Sequence, residues 1–249
     1  MALLATDAIV LHAFDYLESS RILRLVTREA GVRSVLAKGA RRSSRRFGSA
    51  LDLFAQGSAQ LYAKPGRDLD TLGAFDVTTA REGIAADLGR FVGASAVAEL
   101  TLRFGRDAAD PALFDAVAAA LDALTSAARD DAIATTLASA WRIVAELGFA
   151  PTTDVCAECH KSLPRDATVM FSHPSGGALC VRCGRLAAAG RVLPAPARDA
   201  LRDFLAGKAA SLDDASARAH QRLLREFLGE HLTDGRPLRA LELWEANRW

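Results

Sequence analysis

Four cysteines carry the most specific chemical pattern in this chain. Cys156-Ala-Glu-Cys159 and Cys180-Val-Arg-Cys183 are two C-x2-C pairs with twenty residues between them. Two pairs at this spacing can surround one Zn²⁺ with four thiolates at Zn–S distances of about 2.3 Å. Four sulfurs complete the tetrahedron and leave no position for water or substrate, so such a metal is structural rather than catalytic. Other readings compete. Four free thiols or two disulfides fit the same composition, but clustering in what reads as a cytosolic chain favours ligation. A thioredoxin-type redox pair wants a preceding parallel-strand unit, which is absent. A deaminase-type catalytic zinc wants an H-x-E element and a proline before the second pair, and neither is present. His160 and His173 lie in or beside the cluster; with four cysteines in place they are expected to be surface groups or outer hydrogen-bonding partners.

The second pattern is a basic run. Arg33, Lys38, Arg41, Arg42, Arg45 and Arg46 are six cations with no acid between Arg33 and Leu51, although the whole chain, with 31 Lys+Arg against 30 Asp+Glu, has a formal net charge of only +1. A local excess in a balanced chain suits a polyanion. Lys and Arg neutralise phosphates and release counterions, Ser43 and Ser44 can donate to phosphate oxygens, and the glycines admit close backbone approach. About five such contacts predict a log–log salt slope of roughly −3.5 on single strands. A solvated loop with spare charge is the plainer reading. Phe47 and Tyr62 could offer stacking faces, though each residue type is more often core.

These groups must be held by elements. Residues 1 to about 78 alternate apolar and polar positions in short runs at Ala8–Phe14, Arg21–Thr27, Val32–Lys38, Ala50–Leu53, Ala59–Ala63 and Leu69–Val77. Turns fall at 29–31 and 64–67, where glycine and proline supply the geometry. About five strands in this length close most economically as a small barrel, oligonucleotide-binding or SH3-like, and such barrels bind single strands along one face. From about 80 the period becomes helical through Leu88, Phe91, Val92, Ala96, Leu100 and Phe104, and again through Ile133, Leu137, Trp141, Val144 and Leu147. Asp110-Pro111 opens a helix through Leu124 as N-cap and first helical residue, and Gly148 and Pro151 stop the one before the cysteines. Helices return near Pro196–Leu205 and Asp213–His231. The resulting expectation is an α+β multidomain chain: a barrel over 1–79, helices over 80–150, a zinc-binding module over 151–192 and C-terminal helices over 193–249 that pack on the first set.

Composition bounds the rest. At 249 residues, 50% hydrophobic and 24% charged, the chain is an ordinary globular one that can bury a core. The first twenty residues lack a basic n-region and carry Asp7 in the would-be apolar stretch, so a signal peptide is not expected; no run approaches the ~18 apolar residues of a membrane span. A cytoplasmic protein is expected. Phosphate-loop, dinucleotide, nucleophile-elbow and H-E-x-x-H motifs are missing, so an enzyme is not.

Several stretches together resemble the RecO family of bacterial recombinational-repair mediators, in its zinc-bearing form. They are Asp15-Tyr16-Leu17-Glu18-Ser19-Ser20, Val26-Thr27-Arg28-Glu29-Ala30-Gly31, Leu36-Ala37-Lys38-Gly39-Ala40-Arg41-Arg42 with Ala50-Leu51, Leu147-Gly148-Phe149-Ala150-Pro151 ahead of the cysteines, and Gly235-Arg236-Pro237-Leu238-Arg239. The resemblance implies an oligonucleotide-binding (OB-fold) barrel, a helical domain and a zinc knuckle. It implies a nucleoid-associated protein that binds single- and double-stranded DNA and anneals complementary strands without ATP. It also implies help in loading the RecA recombinase, in partnership with RecR, onto DNA coated by single-stranded DNA-binding protein. The family's DNA-contacting stretch falls on Lys38, Arg41, Arg42, Arg45 and Arg46, with Arg33 joining by spacing only. A docking surface for the acidic, apolar C-terminal tail of the single-stranded DNA-binding protein is implied on the helices, where Arg103, Arg106 and Arg142 could serve. Trp141 departs from the smaller aliphatic residue expected at its position. Two other classes remain to be separated from this one. One is a zinc-stabilised protein-interaction adaptor with incidental DNA contact, and the other is a thiol-redox enzyme, which reactive cysteines without stoichiometric zinc would favour.

Overall fold

A computed structural model of the chain describes residues 2–40, 47, 51–63, 68–232 and 235–246. Five strands, β1 (Ala2–Tyr16), β2 (Ser20–Thr27), β3 (Gly31–Ala37), β4 (Gln56–Ala63) and β5 (Leu69–Thr79), close into a barrel in the order β1-β2-β3-β5-β4. All pairings are antiparallel except β3 with β5. That order, with its one parallel pair, is the OB-fold and not an SH3-like closure. Alternation decides which side chains point inward: Ala8, Val10, Leu23, Leu25, Val35, Ala37, Ala59, Leu61, Leu72 and Phe75 fill the interior, joined by Phe47 and Leu51. A bulge between Val10 and His12 resets the parity of β1, so beyond it His12 and Phe14 face outward.

Of the expected strand at Ala50–Leu53, Ala50 lies outside the described residues and residues 51–53 form a turn rather than a strand. Leu51 and Phe54 are buried three residues apart, which is not a strand period, and Phe54 takes a left-handed φ of 70° that breaks extension. The Phe54 N–H donates to the Val10 carbonyl (2.7 Å), and the Val10 N–H donates to that of Ala55 (2.9 Å), which ties this segment to β1, with Leu51 in the barrel interior and Phe54 in the core shared with the helices.

Helices α1 (Glu82–Ala85), α2 (Leu88–Phe104), α3 (Pro111–Ser126) and α4 (Ala132–Glu146) follow. The Asp110 carboxylate accepts from the Leu113 N–H with proline at the first turn, as the sequence pattern demands. Gly93 lets α2 approach α4 closely, because a Cβ there would lie 2.2 Å from the Thr136 hydroxyl oxygen. Trp141 is wholly buried and its ring lies 5.2 Å from that of Phe227, which makes it the centre of the helical core. After the cysteine module come α6 (Ala195–Leu205), α7 (Asp214–His231) and α8 (Arg239–Ala246). The first two pack on α4, and α8 packs on α2, where the Glu99 carboxylate accepts from the N–H groups of Ala240 and Leu241 (2.8 and 3.1 Å). No helix among the described residues is long and apolar enough to cross a membrane.

The barrel and the helices share a core. Ile9, Leu11 and Val26 point outward from the barrel into the cluster that holds Val97, Leu100, Leu113 and Phe114. Arg81 pins this junction: its buried guanidinium donates to Asp122 (2.7 Å), to the Phe54 carbonyl (2.9 Å) and to the Gln56 side-chain oxygen (2.8 Å). Every arm of a charge taken out of water is thereby satisfied.

Candidate nucleic-acid interface and metal centre

The cysteine module is built from three short strands, β6 (Val169–Ser172), β7 (Gly177–Leu179) and β8 (Arg191–Leu193), in the order β7-β6-β8, with helix α5 (Val181–Leu186) between β7 and β8. Cys156 and Cys159 lie on a tight turn in which the His160 N–H donates to the Cys156 carbonyl (2.9 Å) and the Cys156 N–H to that of Lys161 (2.8 Å). His160 closes this turn with a left-handed φ of 57°, a conformation histidine adopts more readily than most residues. Cys180 follows β7 directly and is the N-cap of α5, and Cys183 sits in the first turn of that helix.

Folding thus brings together two pairs that are far apart in sequence. The four sulfurs all lie within 4.8 Å of one another, and Cys159 and Cys180 are 3.7 Å apart. A tetrahedral metal with metal–sulfur bonds of about 2.3 Å requires sulfur separations of about 3.8 Å. A disulfide would require about 2.05 Å, and all four cysteines are free. Burial pushes the Cys156 thiol up, but the backbone N–H groups of Cys180, Cys159 and Glu158 outweigh it and hold the thiol at about 6. Burial together with the three neighbouring sulfurs pushes Cys183 up to about 12. Four thiolates at this distance repel one another unless a cation sits among them, so the donor set fits a divalent metal ion. His160 and His173 are not in the tetrad. The His173 ring lies 3.0 Å from Glu226, which also binds Arg191, and His231 reaches the His173 carbonyl at 2.7 Å.

One residue that the sequence reading did not single out holds the module in place. Arg198, on α6, is fully buried and donates to the carbonyls of Thr153 (2.8 Å), Pro164 (2.7 Å), Ala167 (3.2 Å) and Leu163 (3.4 Å). These bonds tie both sides of the first knuckle to the C-terminal helices. Apolar periodicity could not have found it, since Arg198 is a charge on the buried face of an amphipathic helix.

On the barrel, the basic residues separate by parity. Lys38 is exposed, one residue past the last paired position of β3. Arg33 shares the parity of Val35 and Ala37, and its guanidinium donates to the buried Asp70 at 2.9 and 2.6 Å, so that cation serves an ion pair across the parallel β3–β5 seam. Arg41, Arg42, Arg45 and Arg46 lie outside the described residues. Phe47 is core, and Tyr62, half-buried, covers Gly73, where a Cβ would meet its ring at 2.5 Å. The outer face of β1–β3 is split. Its Ile9, Leu11, Val26 and Val32 end lies under the helices, with the Arg24 guanidinium donating to the Leu102 carbonyl (2.9 Å) at the border, while the end carrying Phe14 and Tyr16 faces solvent. Of the arginines expected on the helices, Arg103 lies by the Phe104 ring, whereas Arg106 falls in the loop after α2 ends at Phe104, where its carbonyl accepts from the Val32 N–H (2.8 Å). Arg142 pairs with Glu146 and lines a cavity of about 630 Å³ walled by Ala116, Ala119 and Ala138, which neither Arg103 nor Arg106 reaches.

Comparison with known proteins agrees with this architecture. Residues 1–81 match the family model described as Recombination protein O N terminal, and residues 85–242 match Recombination protein O C terminal. The chain belongs to the RecO family. Among similar RecO proteins, one named DNA repair protein RecO from Anaeromyxobacter sp. (strain Fw109-5) is 36% identical over 246 residues, covering 95% of this chain and 93% of the relative. The protein of the same name from Geobacter metallireducens is 35% identical over 239 residues, covering 95% and 94%. That from Nocardioides sp. (strain ATCC BAA-499 / JS614) is 33% identical over 237 residues, covering 92% and 94%. The boundary between the two RecO matches, at residues 81 to 85, falls at the Arg81 pin.

Proposed function

We propose that this chain is a non-catalytic mediator of DNA repair and homologous recombination. It binds single- and double-stranded DNA through the barrel and the basic run that begins at Lys38, and it anneals complementary strands without ATP. It assists the loading of RecA, together with RecR, on DNA coated by single-stranded DNA-binding protein. The observation that carries this reading is an OB-fold barrel in a RecO-family chain whose outer face, where it is free of the helices, adjoins an acid-free basic segment. Lys38, Arg41, Arg42, Arg45 and Arg46 would neutralise phosphates, with Arg33 a lesser contributor because of its bond to Asp70. Holding two strands by their backbones leaves their bases free to pair.

Zn²⁺ would occupy the Cys156, Cys159, Cys180 and Cys183 cage, supply the folding energy of that module and take no part in chemistry. The acidic tail of the single-stranded DNA-binding protein would dock on the helices at the cavity beside Arg142. Such work belongs in the bacterial cytoplasm, at the nucleoid.

The test is fluorescence-monitored annealing of two complementary oligonucleotides without ATP at several salt concentrations. Wild type is compared with a variant carrying Glu at positions 41, 42, 45 and 46. Fast, salt-sensitive annealing that the variant loses is expected. A folded, zinc-loaded wild type that fails to anneal would move the assignment to a protein-interaction adaptor.

A further inference from the structure

The register of the barrel places two rows of side chains side by side on its outer surface. His12, Arg24, Ser34 and Leu69 form one row across β1, β2, β3 and β5, and Phe14, Ile22, Leu36 and Thr71 form the next. The rows between them, such as Ala13, Leu23, Val35 and Asp70, point inward, and Leu23 and Val35 are wholly buried. Beyond the second row, Tyr16 stands opposite Ser20, and continuing the register by one residue brings Lys38 beside it.

This surface has an unusual make-up for a solvent-facing sheet. Phe14 is 44% exposed, Tyr16 40% and Leu17, in the β1–β2 turn, 77%. The His12 and Phe14 rings lie 5.8 Å apart. Neither row contains a carboxylate, and Asp15, on the opposite parity, is held by Arg21 (3.3 Å). The other end of the same face is sealed by the helices at Ile9, Leu11 and Val26, so the open patch is bounded and spans four strands, about 14 Å. Aromatic side chains without acids, flanked by a lysine, are complementary to nucleobases on a phosphate backbone.

We propose that Phe14 and Tyr16, with His12 beside them, form a stacking platform for unpaired bases, which makes this face the single-strand-specific part of the DNA interface. The inference rests on the DNA-binding reading above and divides its labour. The basic run engages any phosphate backbone, whereas the platform engages only strands whose base faces are exposed, because in a duplex those faces are stacked on one another. A strand held here keeps its Watson–Crick edges open to a complement.

The test measures the affinity of full-length, zinc-loaded protein for oligo-dT and for a duplex of equal length by fluorescence anisotropy. Wild type is compared with Phe14→Ala/Tyr16→Ala and with the conservative Phe14→Tyr/Tyr16→Phe. Base stacking on an aromatic ring predicts oligo-dT binding about 10- to 100-fold weaker in the alanine variant, duplex binding within about twofold of wild type, and rescue by the conservative pair. A Phe14→Trp variant supplies a signature that a purely structural role would not give, namely indole quenching by oligo-dT and none by duplex. Equal losses on both ligands, or wild-type oligo-dT affinity in the alanine variant, would overturn the platform while leaving the DNA-binding reading standing. A wild type that binds neither ligand would overturn both.

Discussion

The barrel and the four-cysteine module are both small β units attached to the same helical body, and they are held by opposite means. The barrel closes its own hydrogen-bond ladder and fills its interior with ten buried apolar side chains drawn from all five strands, joined by Phe47 and Leu51. The module has three strands of three or four residues, and its buried Phe171, Ala178 and Leu179 belong to the core of the helices rather than to one of its own. A unit that short cannot meet its conformational entropy cost through apolar burial, so it needs one buried arginine and, on the function proposed above, a metal held by its four cysteines. A second contrast lies in the pins. Arg81 joins barrel to helices with one carboxylate among its partners, whereas Arg198 joins module to helices mainly through four carbonyls.

The largest effect should come from the metal. Chelation, or Cys156→Ser, removes on the order of 10 kcal/mol of folding free energy from the module and none from the barrel. Hydrogen exchange should show amides of 151–193 losing protection while those of β1–β5 keep theirs; loss of protection in the barrel as well would mean that the two units fold as one. Next is Arg198→Leu, which strands several buried carbonyls and should cost about 4 kcal/mol. Urea unfolding with zinc release as a second signal should place that loss in the module, and release unchanged from wild type would count against the pin.

His220 supplies an acid-sensitive term in the helical body. It is 2% exposed, and desolvation lowers its pKa from 6.5 to about 4. The unfolded chain therefore binds this proton at higher pH than the folded one, and stability falls as pH drops from about 6.5 through 4, by up to about 3 kcal/mol. His220→Phe should flatten thermal stability across that window, and a slope identical to wild type would place the acid sensitivity elsewhere. The smallest effect is expected at His160→Gly, which relieves the left-handed backbone of the knuckle and should raise module stability by about 0.5 kcal/mol, visible as slower zinc loss to a chelator.

Much of this was legible beforehand because it depends on local chemistry. Asp110-Pro111 and Asp213 mark helix starts through their own capping geometry, and in the structure their carboxylates accept from the Leu113 and Ser216 N–H groups. The strands of the barrel followed from alternation. Ala50–Leu53 misled because an apolar run that buries Leu51 and Phe54 three residues apart has the composition of a strand without its period. The strands β6 to β8 were too short to show one. Arg81 and Arg198 were illegible for a different reason: a buried arginine looks like a surface one until the fold brings its acceptors in from distant segments, residues 54–56 and 118–122 for Arg81 and residues 153 and 163–167 for Arg198.

The chain alone made the four-cysteine cluster legible, since each C-x2-C pair brings two sulfurs together by spacing, while the fold brought the two pairs to within 4.8 Å of each other. The chain also determined the basic run and the order of barrel, helices and module. Only the tertiary structure decided that, of the described cations of that run, Arg33 is turned by strand parity toward buried Asp70 while Lys38 is exposed. Only it decided that half of one barrel face lies under the helices while Phe14 and Tyr16 remain open, because a bulge at Val10/His12 resets the direction of every side chain beyond it.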